Sequence, residues 1–282
     1  MNRVSPLTFV KLVILSLGLS AMACGLPSIG AGQTNEGASA TEVPQASPTK
    51  TPQQPVKAPT AESPSATSGD CANTYFPVVQ GATWSYLVTG GPTGTTSYTD
   101  IISEVNGNSF ILTTEFADLT RTQRWSCSAD GLVALDYGGS SATLAVAGLQ
   151  AVFDTTQVTG ITLPADISLG DTWSQTCILE GTQTLSGDQT AKSEGDVKYD
   201  STAAGMESVN VPAGTFEALR IDSTTTMEIT VELSGFKVPT TIAGTIVRWY
   251  VPGVGYVRSV ETSNMFDTEV EVTTELTDYS IP

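Results

Sequence analysis

From Tyr75 to the C-terminus, apolar and polar residues alternate in short runs, and turn signals interrupt them about every ten residues. Period-two alternation in segments rich in Thr, Val, Ile, Tyr and Phe predicts β-strands. Two runs are long and regular. Met227, Ile229, Val231 and Leu233 share one face of a strand. Val270, Val272 and Leu276 share one face of another, with Glu269, Glu271 and Glu275 opposite. A row of Glu on an outer face protects a strand against edge-to-edge pairing, so these carboxylates need no functional explanation. Asn106-Gly107 and Asp130-Gly131 are hairpin signals, because Asn, Asp and Gly tolerate positive φ. Val211-Pro212-Ala213-Gly214 suits a type I turn and Val251-Pro252-Gly253-Val254 a type II turn. The small, Ala-rich stretch from Ser140 to Val152 reads as either a short helix or a strand pair. The expected fold is all-β, with antiparallel meander sheets forming an open, curved barrel or half-barrel.

The pattern also recurs on a longer scale. Gly81-Ala82-Thr83-Trp84-Ser85 returns as Gly170-Asp171-Thr172-Trp173-Ser174, and Arg124-Trp125 returns as Arg248-Trp249. A Gly stands seven residues after each Arg, at Gly131 and Gly255. These motifs contain all four Trp of the chain, in the same order, which points to two tandem pseudo-repeats. The units are expected over 71–160 and 161–282, with Trp84 superposing on Trp173 and Trp125 on Trp249. The Trp–Trp interval is 41 residues in the first unit and 76 in the second, an insertion of 35. Part of that insertion, Glu180 to Ala204, is polar and Gly-rich and reads as a mobile loop or weak hairpin. Asp188, Glu194, Asp196 and Asp200 lie in it without the spacing or closing Glu of a calcium loop, so no metal site is assigned.

Repeated aromatic residues usually pack a core, and Trp84, Trp125, Trp173 and Trp249 are expected to do so. The competing reading makes these four a ligand platform for an apolar or saccharide molecule. Side chains of neighbouring strand residues face opposite ways, so inward Trp125 and Trp249 would turn Arg124 and Arg248 outward, to pair with surface carboxylates.

The chain's N-terminus is of a different kind. Residues 1–23 have the form of an export signal: Arg3 and Lys11, the apolar run Leu12–Leu19, then Ala21-Met22-Ala23 before Cys24. Cys24 in that place resembles the lipid-modified first residue of bacterial lipoproteins, although Ala21 stands where Leu is preferred. Residues 24–70 are Pro-, Thr- and Ser-rich, without an aromatic residue, and read as a disordered tether. Membrane attachment through Cys24 is expected, with ordinary secretion as the alternative.

Composition then narrows the function. The net charge of −17 lies entirely within 71–282, because Arg3, Lys11, Lys50 and Lys57 are matched by Glu36, Glu42, Glu62 and Asp70. Such a surface repels nucleic acid. Histidine is absent, which removes the usual general base and the commonest zinc ligand. No catalytic residues and no cofactor are assigned; a glycosidase-type carboxylate pair would converge only in space. Export favours a disulfide among Cys71, Cys127 and Cys177. Superimposing the repeats leaves Cys71 and Cys127 peculiar to the first unit and makes their bridge the favoured one, with Cys177 as a buried thiol. Cys127–Cys177 is the alternative.

Val211-Pro212-Ala213-Gly214-Thr215-Phe216, Trp249-Tyr250-Val251-Pro252-Gly253-Val254-Gly255 and the opening Tyr75-Phe76-Pro77 with Gly81 and Trp84 resemble a signature of bacterial exported lipoproteins, the TapB-like group. That resemblance implies an outline like the open, curved antiparallel sheets of lipoprotein carriers, and supplies no catalytic residues. Two non-enzymatic functions follow: a surface-tethered binding or carrier-like module for an unknown ligand, or a passive envelope or assembly component with protein partners.

Overall fold

The computed structural model describes residues 71–282 apart from 92–93, 139–141, 147–148, 185–189, 234 and 266–267; the signal peptide, Cys24 and the tether lie outside the described residues. A first up-and-down run holds β1 (Thr83–Gly90), β2 (Thr96–Asn106), β3 (Ser109–Glu115), β4 (Thr120–Ser128) and β5 (Gly131–Ala134). A connecting stretch holds β6 (Ala142–Val146), β7 (Leu149–Gly160) and β8 (Leu163–Pro164). The second run holds β9 (Thr172–Thr184), β10 (Thr190–Val211), β11 (Gly214–Leu233), β12 (Phe236–Val251) and β13 (Gly255–Met265), and β14 (Thr268–Ser280) ends the chain. All belong to one antiparallel sheet of fourteen strands, in the order β6-β7-β9-β10-β11-β12-β13-β14-β1-β2-β3-β4-β5-β8. Last strand meets first: β14 pairs with β1 from Thr83↔Ser280 to Gly90↔Val272 and joins the two runs.

The sheet is curved but not closed into a barrel, with β6 and β8 at its edges. The chain between β7 and β8 draws those edges together. Ile161 N–H donates to Ser174 O on the β9 side, and Thr162 N–H donates to Leu132 O on the β5 side, each at 3.0 Å. Gln175 Nε2 reinforces the junction by donating to Ala134 O at 3.0 Å.

Of the two readings for Ser140 to Val152, the strand pair is found, as β6 and the start of β7. Of the two readings for 180–204, a mobile loop or a weak hairpin, the hairpin is found. Its arms are the end of β9, to Thr184, and the start of β10, paired with β9 from Thr190↔Thr184 and with β11 from Lys192↔Glu232. Its inward positions are small, Ala191, Ser193 and Gly195, so its alternation is easily missed. Gly195 is required there, because a Cβ would stand 2.0 Å from Glu228 O. The insertion is thus a lengthening of hairpin arms. Hairpin turns fall close to their signals. Gly107-Asn108 and Ala129-Asp130 are the two-residue loops, one position off the Asn-Gly and Asp-Gly pairs. Pro212-Ala213 links β10 and β11 within the expected turn.

Two apolar clusters hold the sheet. The larger contains Trp84, Tyr86, Ile102, Phe110, Leu132, Val257 and Leu276, each at most 2% exposed. Burying a side chain of this size stabilises by roughly 1.5–3 kcal/mol. The segment before β1 plugs this end. Phe76 stacks on Trp84, Phe110 and Trp125 at 5.7, 5.8 and 5.6 Å. The segment is tied down by the Cys71–Cys127 disulfide, by Asn73 Nδ2 donating to Pro164 O at 2.8 Å, and by Gly253 N–H donating to Thr74 O at 2.8 Å. The smaller cluster lies on β9–β11 and contains Cys177, Leu179, Val197, Met227, Ile229 and Val231.

The repeated Gly-Ala/Asp-Thr-Trp stretches fold alike. Gly81 and Gly170 have φ of 85° and 89°. Gly81 N–H donates to Ile102 O and Gly170 N–H to Ala203 O, both at 2.8 Å; Ile102 and Ala203 return bonds to Ala82 O and Asp171 O, both at 3.0 Å. Each partner strand then bulges, between Ile102 and Glu104 in β2 and between Ala203 and Gly205 in β10. Ile102 therefore corresponds to Ala203, Asp100 to Ser201, and Thr114, opposite Asp100, to Ser223.

The second Trp pair is corrected by one residue. Trp125 lies opposite Phe110, but the residue opposite the corresponding Leu219 is Tyr250. Trp249 instead matches Arg124, and Arg248 matches Gln123. The physical reason lies at the turn. β12 has a bulge between Trp249 and Tyr250 and reaches β13 through three residues, whereas two residues join β4 to β5. A slip of one residue exchanges the faces of a strand.

Candidate functional site

Arg124 and Arg248 show the consequence of that slip. Arg124 turns outward, its side chain 62% exposed, and its guanidinium grips the buried Asp136 carboxylate, which also accepts from Arg124 N–H at 2.9 Å. Arg248 was expected outward and is not. It lies between inward-facing Ile221 and Ser259, 4% and 3% exposed.

It lines a cavity of about 200 Å³ inside the curve of the sheet. One side is built by β2–β4, with Tyr98, Asp100, Thr114 and Arg121. The other is built by β12–β14, with Arg248, Tyr256, Ser259, Glu261 and Thr274. Trp125 and Gln175 also reach it, and Phe116 stands beside Tyr98 with ring centroids 5.4 Å apart.

Asp100, Ser259 and Thr274 are buried here, whereas the Arg248 and Glu261 side chains keep partial exposure. Asp100 is 8% exposed, and Thr114 Oγ1 donates to its Oδ1 at 2.6 Å. Burial pushes the Asp100 carboxyl up to about 7, against the smaller opposing effect of the Thr114 bond. Glu261 is also raised by desolvation, partly offset by the Arg248 guanidinium, whose Nη2 lies 3.3 Å from its Oε1. Three tyrosines adjoin Asp100. Tyr86 OH donates to Tyr256 O at 3.0 Å, the Tyr98 and Tyr256 hydroxyls bond to one another, and the rings of Tyr86 and Tyr256 stack at 4.6 Å. Burial raises all three, so they stay neutral at physiological pH.

The four Trp do not meet at one surface. Trp84 is 2% exposed, and its Nε1 donates to Val254 O at 2.6 Å. Gly255, the Gly of the second Arg-Trp motif, leaves room for that indole: its φ is 110°, and a Cβ would stand 3.3 Å from Trp84 Nε1. Trp125 forms part of the cavity wall. Trp173, bonded to Thr162 O at 3.2 Å, lines a separate groove with Ser201, Arg220 and Asp222. Trp249 lies on the face opposite Arg248, between Arg220 and Arg258, and donates to Glu207 at 2.8 Å.

Cys71 and Cys127 are joined, and Cys177 is buried outside that bridge. Cys24 lies outside the described residues. Among the described residues, no group of three or more His, Cys, Asp or Glu is placed to hold a metal ion.

Sequence reasoning had not singled out Asp100, Tyr98, Thr114, Tyr256 or Glu261. One signal was present for Asp100, which shares strand parity with Tyr98 and Ile102 and is an acid among inward positions.

A family model described as DUF3108-like matches residues 119–274. No curated protein matches the chain. Among solved structures, a candidate exported protein with a YmcC-like fold from Bacteroides fragilis NCTC 9343 is 14% identical, with a TM-score of 0.40 over 74% of this chain and 100% of its own. A candidate lipoprotein from Parabacteroides distasonis ATCC 8503 is 16% identical, with a TM-score of 0.41 over 74% of this chain and 99% of its own. The hypothetical lipoprotein YmcC of Escherichia coli K12 is 9% identical, with a TM-score of 0.28 over 71% of this chain and 85% of its own.

Proposed function

This chain belongs to the DUF3108-like family, and from that premise we propose that it is an exported, non-enzymatic module that holds a small ligand within its curved sheet. The cavity of about 200 Å³ carries this reading. Burying polar groups lowers stability unless they are paired, so a sheet serving only as scaffold would fill this space with apolar side chains. Here the wall is instead a small set of ionisable and hydroxyl groups among aromatic rings, the composition of a small-molecule site.

Export and anchoring complete the proposal. The Cys71–Cys127 disulfide suits an oxidising compartment, residues 1–23 have the form of a signal, and Cys24 is the proposed lipid attachment to the membrane. The TapB-like motifs at 211–216 and 249–255 fall inside the family match. The strongly acidic surface disfavours a nucleic-acid partner.

The test is native mass spectrometry of the protein released from its own membranes, beside the cavity-filling variant Ser259→Leu. A small-molecule adduct present in wild type and absent from the variant is expected. Bare protein from both, with the variant as stable as wild type, would overturn the reading. A protein partner retained equally by both would favour an assembly role.

A further inference from the structure

We propose that the cavity recognises a small organic cation, a primary amine or guanidine, through the Asp100 carboxylate, with the Tyr98 and Phe116 rings as its apolar wall. This rests on the reading above, that the cavity holds a small ligand.

Asp100 is more than nine-tenths buried, and among the described residues only Thr114 donates a hydrogen bond to it and no cationic side chain forms an ion pair with it. The nearby cations are occupied elsewhere. Arg248 faces Glu261, Arg124 holds Asp136, and Arg121 lies over the Phe116 ring at 5.2 Å. A carboxylate in such a place needs a proton or a cation.

The other half of the sheet shows that the fold does not require that carboxylate. At the corresponding position Ser201 bonds to Ser223 at 2.8 Å, where Asp100 bonds to Thr114 at 2.6 Å. A pair of hydroxyls satisfies the backbone geometry in one copy, whereas the other copy carries an acid that is costly to bury. A neutral polyol would be served by hydroxyls alone, and an anion would meet Asp100 and Glu261. A cation gains from the carboxylate, from the Tyr98 ring, and from attraction to a surface of net charge −17.

A proton competes for the same site, because the carboxyl is neutral below about pH 7. The groups around it are Tyr98 on its own strand, Thr114 on β3, Arg121 on β4, Tyr86 on β1 and Tyr256 on β13, with Arg248 and Glu261 further round the cavity. The tyrosines and arginines keep their protonation between pH 5 and pH 8, so Asp100 dominates the change and Glu261 adds to it in the same direction.

The experiment is calorimetric titration of the full-length protein with n-butylamine, with butan-1-ol and butyrate as uncharged and anionic counterparts. Butylamine should bind in preference to both, with affinity rising about a hundredfold from pH 5 to pH 8. Asp100→Ser, which installs the residue found at the matching position, should fold and lose at least tenfold in affinity. Equal binding of butan-1-ol, tighter binding of butyrate, a pH-independent affinity, or full binding by Asp100→Ser would overturn the proposal. Binding of butan-1-ol alone removes the amine and leaves the cavity reading standing. Binding of none, with Ser259→Leu as stable as wild type, removes both.

Discussion

Replacing Asp100 with Asn should make the protein more stable at neutral pH and flatten its response to acid. The side chain is buried, and its carboxyl moves from 3.8 to about 7 on folding. Between those values the native state binds more protons than the unfolded chain, so stability falls as pH rises. The contribution is fully present below pH 3.8, drains away through the interval, and is gone above about pH 7. A shift of about three pH units corresponds to about 4 kcal/mol. Asn keeps the volume and still accepts from Thr114, but its amide adds two N–H donors, and leaving them poorly met costs about 1–3 kcal/mol. The net expectation at pH 8 is a gain of about 1–3 kcal/mol, a rise in Tm of roughly 2–12 °C for a domain of this size.

The assay is thermal unfolding of both proteins from pH 4 to pH 8 at one ionic strength. Wild type should lose stability steadily between pH 4 and pH 7, and Asp100→Asn should lose much less. Some slope should survive, because Glu261 is raised by the same cause. Parallel curves would refute the reasoning, since they would mean that the Asp100 carboxyl is ionised and solvated in the native state. Added butylamine should reverse the order of stability at pH 8 by favouring the charged wild-type site.

Cys71→Ser should cost about 2–4 kcal/mol in chemical unfolding and loosen the Phe76 plug, detectable as faster proteolysis near Cys71. Arg248→Gln removes the positive charge that holds Glu261 down, so the stability lost between pH 5 and pH 8 should grow; an unchanged slope would contradict the pairing. Arg124→Gln strands the buried Asp136 and should cost about 1–3 kcal/mol without changing amine affinity. Cys24→Ser should shift the protein from the membrane fraction to the soluble fraction, and equal partitioning of variant and wild type would remove the anchor.

What the sequence disclosed follows from which interactions are local. Alternation and turn chemistry concern neighbours in the chain, and the all-β fold and most of its turns could be read from them. The Gly81 and Gly170 turns were visible because their left-handed backbone demands Gly and their Trp follows at once. Residues 180–204 left loop and weak hairpin both open because inward positions near Gly195 hold small residues, which pack without adding hydrophobicity. The Arg248 error came from a bulge and a longer turn, neither of which changes the motif itself. The cavity was hidden for a related reason. Both parities of Thr96–Asn106 contain an Ile, Ile101 and Ile102, so the orientation of Asp100 depends on pairing with β1 and β3. Its other wall comes from more than 120 residues further along the chain.

The candidate site lies where the two runs of strands differ. Taken as copies of one five-strand unit, they keep Gly81 and Gly170, Trp84 and Trp173, Tyr98 and Tyr199, and the bulges in β2 and β10. These positions shape the backbone or bury aromatic surface, and both copies need them. The differences fall on the concave face: Asp100 against Ser201, Gln123 against Arg248, Trp125 against Tyr250. Each exchange alters charge or hydrogen bonding at a position whose backbone pairing is retained. If the copies served only as scaffold, the buried acid Asp100 would be penalised without return, and nothing would call for the half-buried guanidinium of Arg248 on the same face. Their placement on one cavity, Asp100 from the first copy and Arg248 from the second, fits a sheet whose halves share a framework and divide the chemistry of a single site.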